Sequence, residues 1–147
     1  MFRRIIEALH RLLGHFRNTP EDAYIPKAAP SADEAILPID PEEYTIYPHE
    51  LKHKMDMDRD FILLDVRDEW EFQVVHLDGA VSIPLGELPR RFGELSPGDE
   101  IIVYCHKGMR SLDAAYLLQQ LGFKSILSLV GGIDKWACEI DQDMQRY

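Results

Sequence analysis

Read as apolar and polar positions, the chain divides into three stretches. Residues 2–17 place Phe2, Ile5, Ile6, Leu9, Leu12, Leu13 and Phe16 at steps of three and one. That spacing is one stripe of a 3.6-residue period and predicts an amphipathic helix over 1–17. Residues 18–42 hold no sustained period but carry Pro20, Pro26, Pro30, Pro38 and Pro41 among acids and small residues, which predicts a stiff, extended linker. From 43 to 147 short β-branched runs alternate with helical ones. Tyr44 to Ile46, Phe61 to Val66, Ala80 to Ile83, Ile101 to Tyr104 and Ser125 to Val130 read as strands. A helix opens at Pro48, and others are expected over Asp68 to His76, Leu85 to Leu95, Ser111 to Leu121 and around Ile133 to Ile140. Such alternation predicts an α/β fold, a parallel sheet with helices on both faces, whose ligands bind at the carboxyl ends of the strands.

Composition narrows the classes. A chain of 147 residues, 46% hydrophobic and 29% charged, suits one globular domain with an appendage, not a disordered or fibrous protein. Sixteen Lys and Arg against 26 Asp and Glu give a net charge of -10, which argues against a nucleic-acid partner. The first 17 residues differ, with four arginines against one acid, together with His10 and His15. A basic face opposite an apolar stripe suits an anionic surface or a docking partner. The alternative is packing on the domain or on a second copy, and without a lipidation signal packing or self-association through 2–17 is favoured. No apolar run reaches the roughly 18 residues a membrane span needs, and no secretory signal is evident, so a soluble cytoplasmic protein is expected.

The only cysteines, Cys105 and Cys138, form neither a disulfide framework nor a Cys-x-x-Cys pair, so free thiols in a reducing compartment are expected. Cys138 lies beside Trp136 and Ala137 without nearby cations, and a packing role is expected for it. His49 and His53 are four apart but lack a third ligand, so no metal is expected, and no cofactor.

Chemistry concentrates at Cys105. It follows a strand and precedes His106, Lys107, Gly108, Met109, Arg110 and Ser111, where a helix begins. A loop entering a helix turns main-chain N–H groups toward an anion, and Lys107 and Arg110 add two cations; each influence favours thiolate. Gly108 lets the backbone turn tightly without a Cβ in the bowl. An inert buried cysteine is the alternative, and these neighbours are poor company for one.

Around that loop the sequence resembles the rhodanese family of sulfurtransferases. Leu63-Leu64-Asp65-Val66-Arg67 with Glu69-Trp70-Glu71-Phe72 resembles the first signature, and His76-Leu77-Asp78-Gly79-Ala80 with Ile83-Pro84 the second. Cys105 to Ser111 is similar to the active-site loop, and Gly131-Gly132-Ile133-Asp134-Lys135-Trp136 to the closing motif. The stretch from Glu139 to Tyr147 is similar to the ends of rhodanese domains attached to ubiquitin-like-protein activating enzymes.

The resemblance implies a single rhodanese domain over 43–147 with a five-stranded parallel sheet. It implies that Cys105 takes a sulfane sulfur from a small donor such as thiosulfate or glutathione persulfide, becomes a persulfide, and passes it to cyanide, a thiol or a protein acceptor. Arg110 and Lys107 would hold an anionic donor, the N–H groups of His106 to Ser111 would stabilise the persulfide, and Ser111 would brace the loop or cap the helix. Ala114 and Ala115 would let that helix lie close to the sheet. Asp65 and Arg67 would brace the site from behind, unless they are an ordinary strand-end ion pair.

Two other functions compete. Phosphatases of related fold also use a loop cysteine with a following arginine, but have one more residue between them than the four from His106 to Met109; arsenate reduction belongs with this reading. A non-enzymatic docking module is the other, although such members usually lack the cysteine.

Overall fold

The structure, a computed structural model, describes residues 42–147; the helix expected over 1–17 and nearly all of the linker expected over 18–42 lie outside these. Strands β1 (Thr45–Ile46), β2 (Ile62–Asp65), β3 (Val81–Ser82), β4 (Ile101–Tyr104) and β5 (Ile126–Leu129) form one sheet in the order β1-β5-β4-β2-β3. Every pairing is parallel, with Leu64 opposite Val103 and Val103 opposite Ser128. Helices α1 (Pro48–Asp56), α2 (Glu69–Val74), α3 (Leu88–Arg91), α4 (Met109–Gln120) and α5 (Gly132–Glu139) connect and cover the strands.

β4 lies at the centre, and all four of its residues are fully buried. Side chains alternate between faces along a strand, so β4 supplies two cores at once. Ile101 and Val103 pack with Leu64, Val66, Leu88, Ala114, Ala115 and Leu118 on the face covered by α3 and α4. Ile102 and Tyr104 pack with Leu51, Leu63, Ile133 and Trp136 on the face covered by α1 and α5. The small Ala114 and Ala115 sit in that first core, where a large side chain would hold α4 off the sheet.

Two expected elements differ. The helix expected over Leu85 to Leu95 reduces to a turn, the four residues of α3 and a 3₁₀ turn at Phe92–Glu94. Gly86 and Gly93 weaken helix formation there, and Pro84 and Pro89 fit only near a first turn. α4 starts at Met109, two residues before Ser111, because Gly108 takes a left-handed φ of +96° and serves as its N-cap.

Cys138 departs from expectation too: it is exposed. Ile133, Trp136 and Ala137 are the buried stripe of α5, and one further step of about 100° turns Cys138 away from it. No helix among the described residues is long and apolar enough to cross a membrane.

Candidate active site

Parallel strands deliver their carboxyl ends to one edge of the sheet, and that edge gathers Asp65 at the end of β2, Val66 and Arg67 just after it, and Cys105 after β4. The loop from Cys105 to Gly108 curls back on its own first residue. Cys105 Sγ accepts the main-chain N–H of Gly108 at 3.1 Å and of Ser111 at 3.3 Å. The Ser111 hydroxyl lies 3.5 Å from the sulfur and 2.7 Å from the Ser128 hydroxyl, so a chain of two hydroxyls leads from β5 to the sulfur. Ser111 therefore braces the loop from inside α4 and does not cap it.

The sequence leads one to expect room around this thiol, yet Cys105 is only 1% exposed. The cause is the same curl: the N–H groups and the Ser111 hydroxyl that meet Sγ also cover it.

α5 holds the loop from behind. Its first N–H groups would otherwise be unpaired; Ile133 donates to the carbonyl of Cys105 at 2.9 Å and Asp134 to that of His106 at 3.0 Å. Gly132 makes this approach possible, since a Cβ there would stand 2.4 Å from both carbonyl oxygens. At Gly108 a Cβ would meet the Gly131 nitrogen at 3.0 Å, so this glycine is required where the loop passes the α5 entrance as well as for its φ. The close backbone contact of two glycine-bearing segments fixes the ring around the sulfur.

Side chains form a second layer. Arg110 makes a bidentate ion pair with Glu71 of α2, at 2.7 and 2.9 Å. The Arg110 guanidinium, assisted by the Asp68 N–H, holds Glu71 down to about 2 despite its burial, so it stays ionised at any working pH. Glu71 also accepts the Tyr147 hydroxyl at 2.8 Å, and that hydroxyl accepts from Arg67 at 2.7 Å. Burial, ahead of these contacts, pushes Tyr147 up to about 12. Its ring stacks on His106 at 4.3 Å and meets Trp70 edge-on at 5.6 Å.

Asp65 and Arg67 are wholly buried. Arg67 donates to both Asp65 oxygens, the shortest contact being 2.6 Å, and to the Val75 carbonyl at 2.7 Å. Burial works against the charge on Arg67, but its bonds to Asp65 and Tyr147 outweigh it and raise its pKa. The pair reaches the loop through Tyr147 and Glu71. Lys107 and Met109 are exposed, and Lys107 carries no ion pair among the described residues.

The structure thus brings the expected residues to one edge but leaves Lys107 exposed and ties Arg110 to an acid. Glu71, Tyr147 and Ser128 belong to the site and were not among its expected members. Glu71 carried one signal, its place in the Glu69-Trp70-Glu71-Phe72 signature; Ser128, inside an apolar strand, carried none. No group of three or more potential metal ligands occurs among the described residues.

A five-stranded parallel α/β domain with a cysteine-centred loop at its sheet edge defines a class, and the comparisons assign it. Residues 47–139 match the family model of the rhodanese-like domain, and the chain belongs to that family. A rhodanese-related protein of Thermoplasma volcanium superposes with a TM-score of 0.61 at 29% identity, over 66% of this chain and 93% of that one. The human single-domain sulfurtransferase TSTD1 does so with a TM-score of 0.59 at 26% identity, over 65% and 96%. Among curated relatives, YrkF of Bacillus subtilis, whose name marks it as a candidate sulfur carrier protein, is 42% identical over 85 residues, 58% of this chain and 46% of that one. The probable adenylyltransferase/sulfurtransferase MoeZ of Mycobacterium tuberculosis is 37% identical over 105 residues, 70% of this chain and 27% of that one. The chain spans less than half the length of either of these two relatives.

Proposed function

We propose that this domain is a sulfurtransferase: Cys105 accepts a sulfane sulfur, carries it as a persulfide and passes it to a thiol, cyanide or a protein acceptor. The observation that carries the reading is the ring around Sγ, in which two main-chain N–H groups at 3.1 and 3.3 Å and one hydroxyl at 3.5 Å surround the sulfur. N–H groups fixed by the backbone stabilise an anion at no reorganisation cost, whether it is the thiolate or the persulfide that replaces it. The names of the sulfur-transfer relatives agree with this reading.

The access supports sulfur over phosphate. A terminal sulfane sulfur is a single atom on a stem and suits a thiol that is 1% exposed, whereas a phosphoryl group needs a wider ring. A phosphatase also needs its loop arginine for the phosphate oxygens, and Arg110 is committed to Glu71.

Cys105→Ser tests the proposal. Incubation with a sulfane donor should add about 32 Da, one sulfur, to the wild type and nothing to the variant, with the melting curve unchanged. Absence of the adduct with every sulfane donor would remove the sulfurtransferase reading and leave a docking module.

A further inference from the structure

Thiosulfate and an alkyl persulfide offer Cys105 the same sulfur on different bodies, and the surroundings of the loop discriminate between them. We infer that the donor is an alkyl persulfide, R–S–SH, of a small thiol or a protein cysteine, and that Glu71 is the residue that selects it against thiosulfate. The inference rests on the sulfurtransferase reading and deepens it.

Charge is the first ground. Thiosulfate arrives as a dianion and leaves sulfite, also a dianion, beside a sulfur that is itself negative. Such a donor requires an uncommitted cation at the loop. Arg110 is the cation of the loop that forms an ion pair, and both its terminal nitrogens face the Glu71 carboxylate at 2.7 and 2.9 Å. Asp68, the N-cap of α2, adds a second negative charge at the same helix end as Glu71. Glu71 is fixed in turn by the Asp68 N–H at 2.9 Å and by the Tyr147 hydroxyl at 2.8 Å, so it does not swing away to free the arginine. Lys107 remains, exposed and unpaired among the described residues. A hydrated ammonium on a flexible stem, screened by salt, draws any anion and ranks them weakly.

The apolar rim is the second ground. Met109 is 73% exposed, Trp70 57% and Tyr147 37%, and Trp70, Tyr147 and the loop's own His106 form one contiguous aromatic run. A sulfonate gains nothing from such a surface and loses hydration against it. The carbon body of a thiol gains contact there.

The chemistry balances without any further reactant. Cys105 thiolate attacks the outer sulfur of R–S–SH, and a new S–S bond forms as the old one breaks. The bonding pair leaves on R–S⁻, and the proton stays on the transferred sulfur as Cys105–S–SH. The departing sulfur bears a single negative charge with its organic body against the rim, where thiosulfate would release sulfite with two charges on one small group.

The full chain, loaded in single turnovers and followed by intact mass, decides the matter. Glutathione persulfide, a persulfidated cysteine peptide and thiosulfate are compared at equal concentration. At least one persulfide should load Cys105 about tenfold or more faster than thiosulfate, and the faster one identifies the source, small thiol or protein. Loading by thiosulfate as fast as by both persulfides would overturn the inference while leaving the sulfurtransferase reading intact; no loading by any donor would instead remove that reading. In Glu71→Gln, which frees Arg110 from a carboxylate, the ratio of thiosulfate to persulfide rate should rise about tenfold, the worth of one charge-assisted hydrogen bond. A ratio that stays fixed while both rates fall would mark Glu71 as structural and overturn its role. The wild-type comparison stands by itself if that variant does not fold.

Discussion

The ring that touches the sulfur and the layer that surrounds it are built from different materials. Cys105 Sγ is met by main-chain N–H groups of Gly108 and Ser111, in a loop whose carbonyls are held by the first N–H groups of α5. The outer layer is a relay of side chains running Asp65, Arg67, Tyr147, Glu71, Arg110, each joined to the next by a hydrogen bond or ion pair. The ring depends on backbone shape and on the absence of two Cβ atoms. The relay depends on charge, and each member's charge or hydroxyl is matched by its neighbours, with main-chain groups of Val75 and Asp68 completing Arg67 and Glu71. The main-chain part of the ring cannot be retuned by exchanging a side chain, whereas the relay can, so the proposed sulfur chemistry falls to the ring and the inferred donor preference to the relay.

Breaking the relay at its buried end should have the largest effect. Arg67→Met leaves the Asp65 carboxylate fully buried without its cation, and breaking such a pair costs about 3 to 5 kcal/mol. Urea denaturation should register that loss, and a loss under 1 kcal/mol, roughly that of an exposed pair, would show that the relay carries no structural weight. The ring should be next. In Gly132→Ala the new methyl group would stand 2.4 Å from the carbonyl oxygens of Cys105 and His106, on a backbone with φ of +60°. A loss of about 2 to 4 kcal/mol is expected, with sulfur loading falling further than in a surface variant of equal stability. Loading unchanged at that cost would separate the ring from function.

Acid provides a finer cut. Glu71 titrates near 2 in the folded chain against an ordinary 4.5, because Arg110 bonds it. A carboxylate with a depressed folded value contributes stability that is full above its unfolded value and fades as pH falls through the folded one. The advantage of the wild type over Glu71→Gln should therefore shrink between about pH 5 and about pH 2, by on the order of 2 kcal/mol once the partly open position of Arg110 is discounted. A difference constant across that window would mean that Arg110 does not hold the charge.

The same division explains what was legible in the sequence. Strands announce themselves by β-branched runs, and all five were readable, as was the cysteine at a strand end before a helix. The ring was readable because its requirements are local: Gly108 lies three residues from Cys105, and Gly131 and Gly132 open a helix. Glu71 and Arg110 are 39 positions apart on different helices, and Tyr147 is 76 from Glu71. Nothing in spacing says that such groups meet, since the fold supplies their proximity. The burial of Cys105 is hidden for a related reason: charged neighbours suggest exposure, but Arg110 pairs with Glu71 and the main-chain N–H groups of Gly108 and Ser111 close on the sulfur. The fate of Cys138 turned on one helical step that a run of apolar neighbours conceals.

The smallest predicted effect lies where ring and sheet join. Ser128 touches no sulfur; its hydroxyl meets that of Ser111 at 2.7 Å, and only Ser111 reaches Sγ. When the sulfur is anionic, Ser111 donates to it and needs an acceptor role filled from behind, which Ser128 fills by donating to Ser111. Ser128→Ala removes that support but leaves the Ser111 hydroxyl free to keep pointing at the sulfur. The cost should be about 1 kcal/mol of stability, the net worth of one buried hydrogen bond, with sulfur loading slowed about threefold. Ser111→Ala, which deletes the donor itself, should slow loading more. Equal slowing in the two variants would mean that the hydroxyls act as one unit, and that the ring extends back to Ser128 in β5.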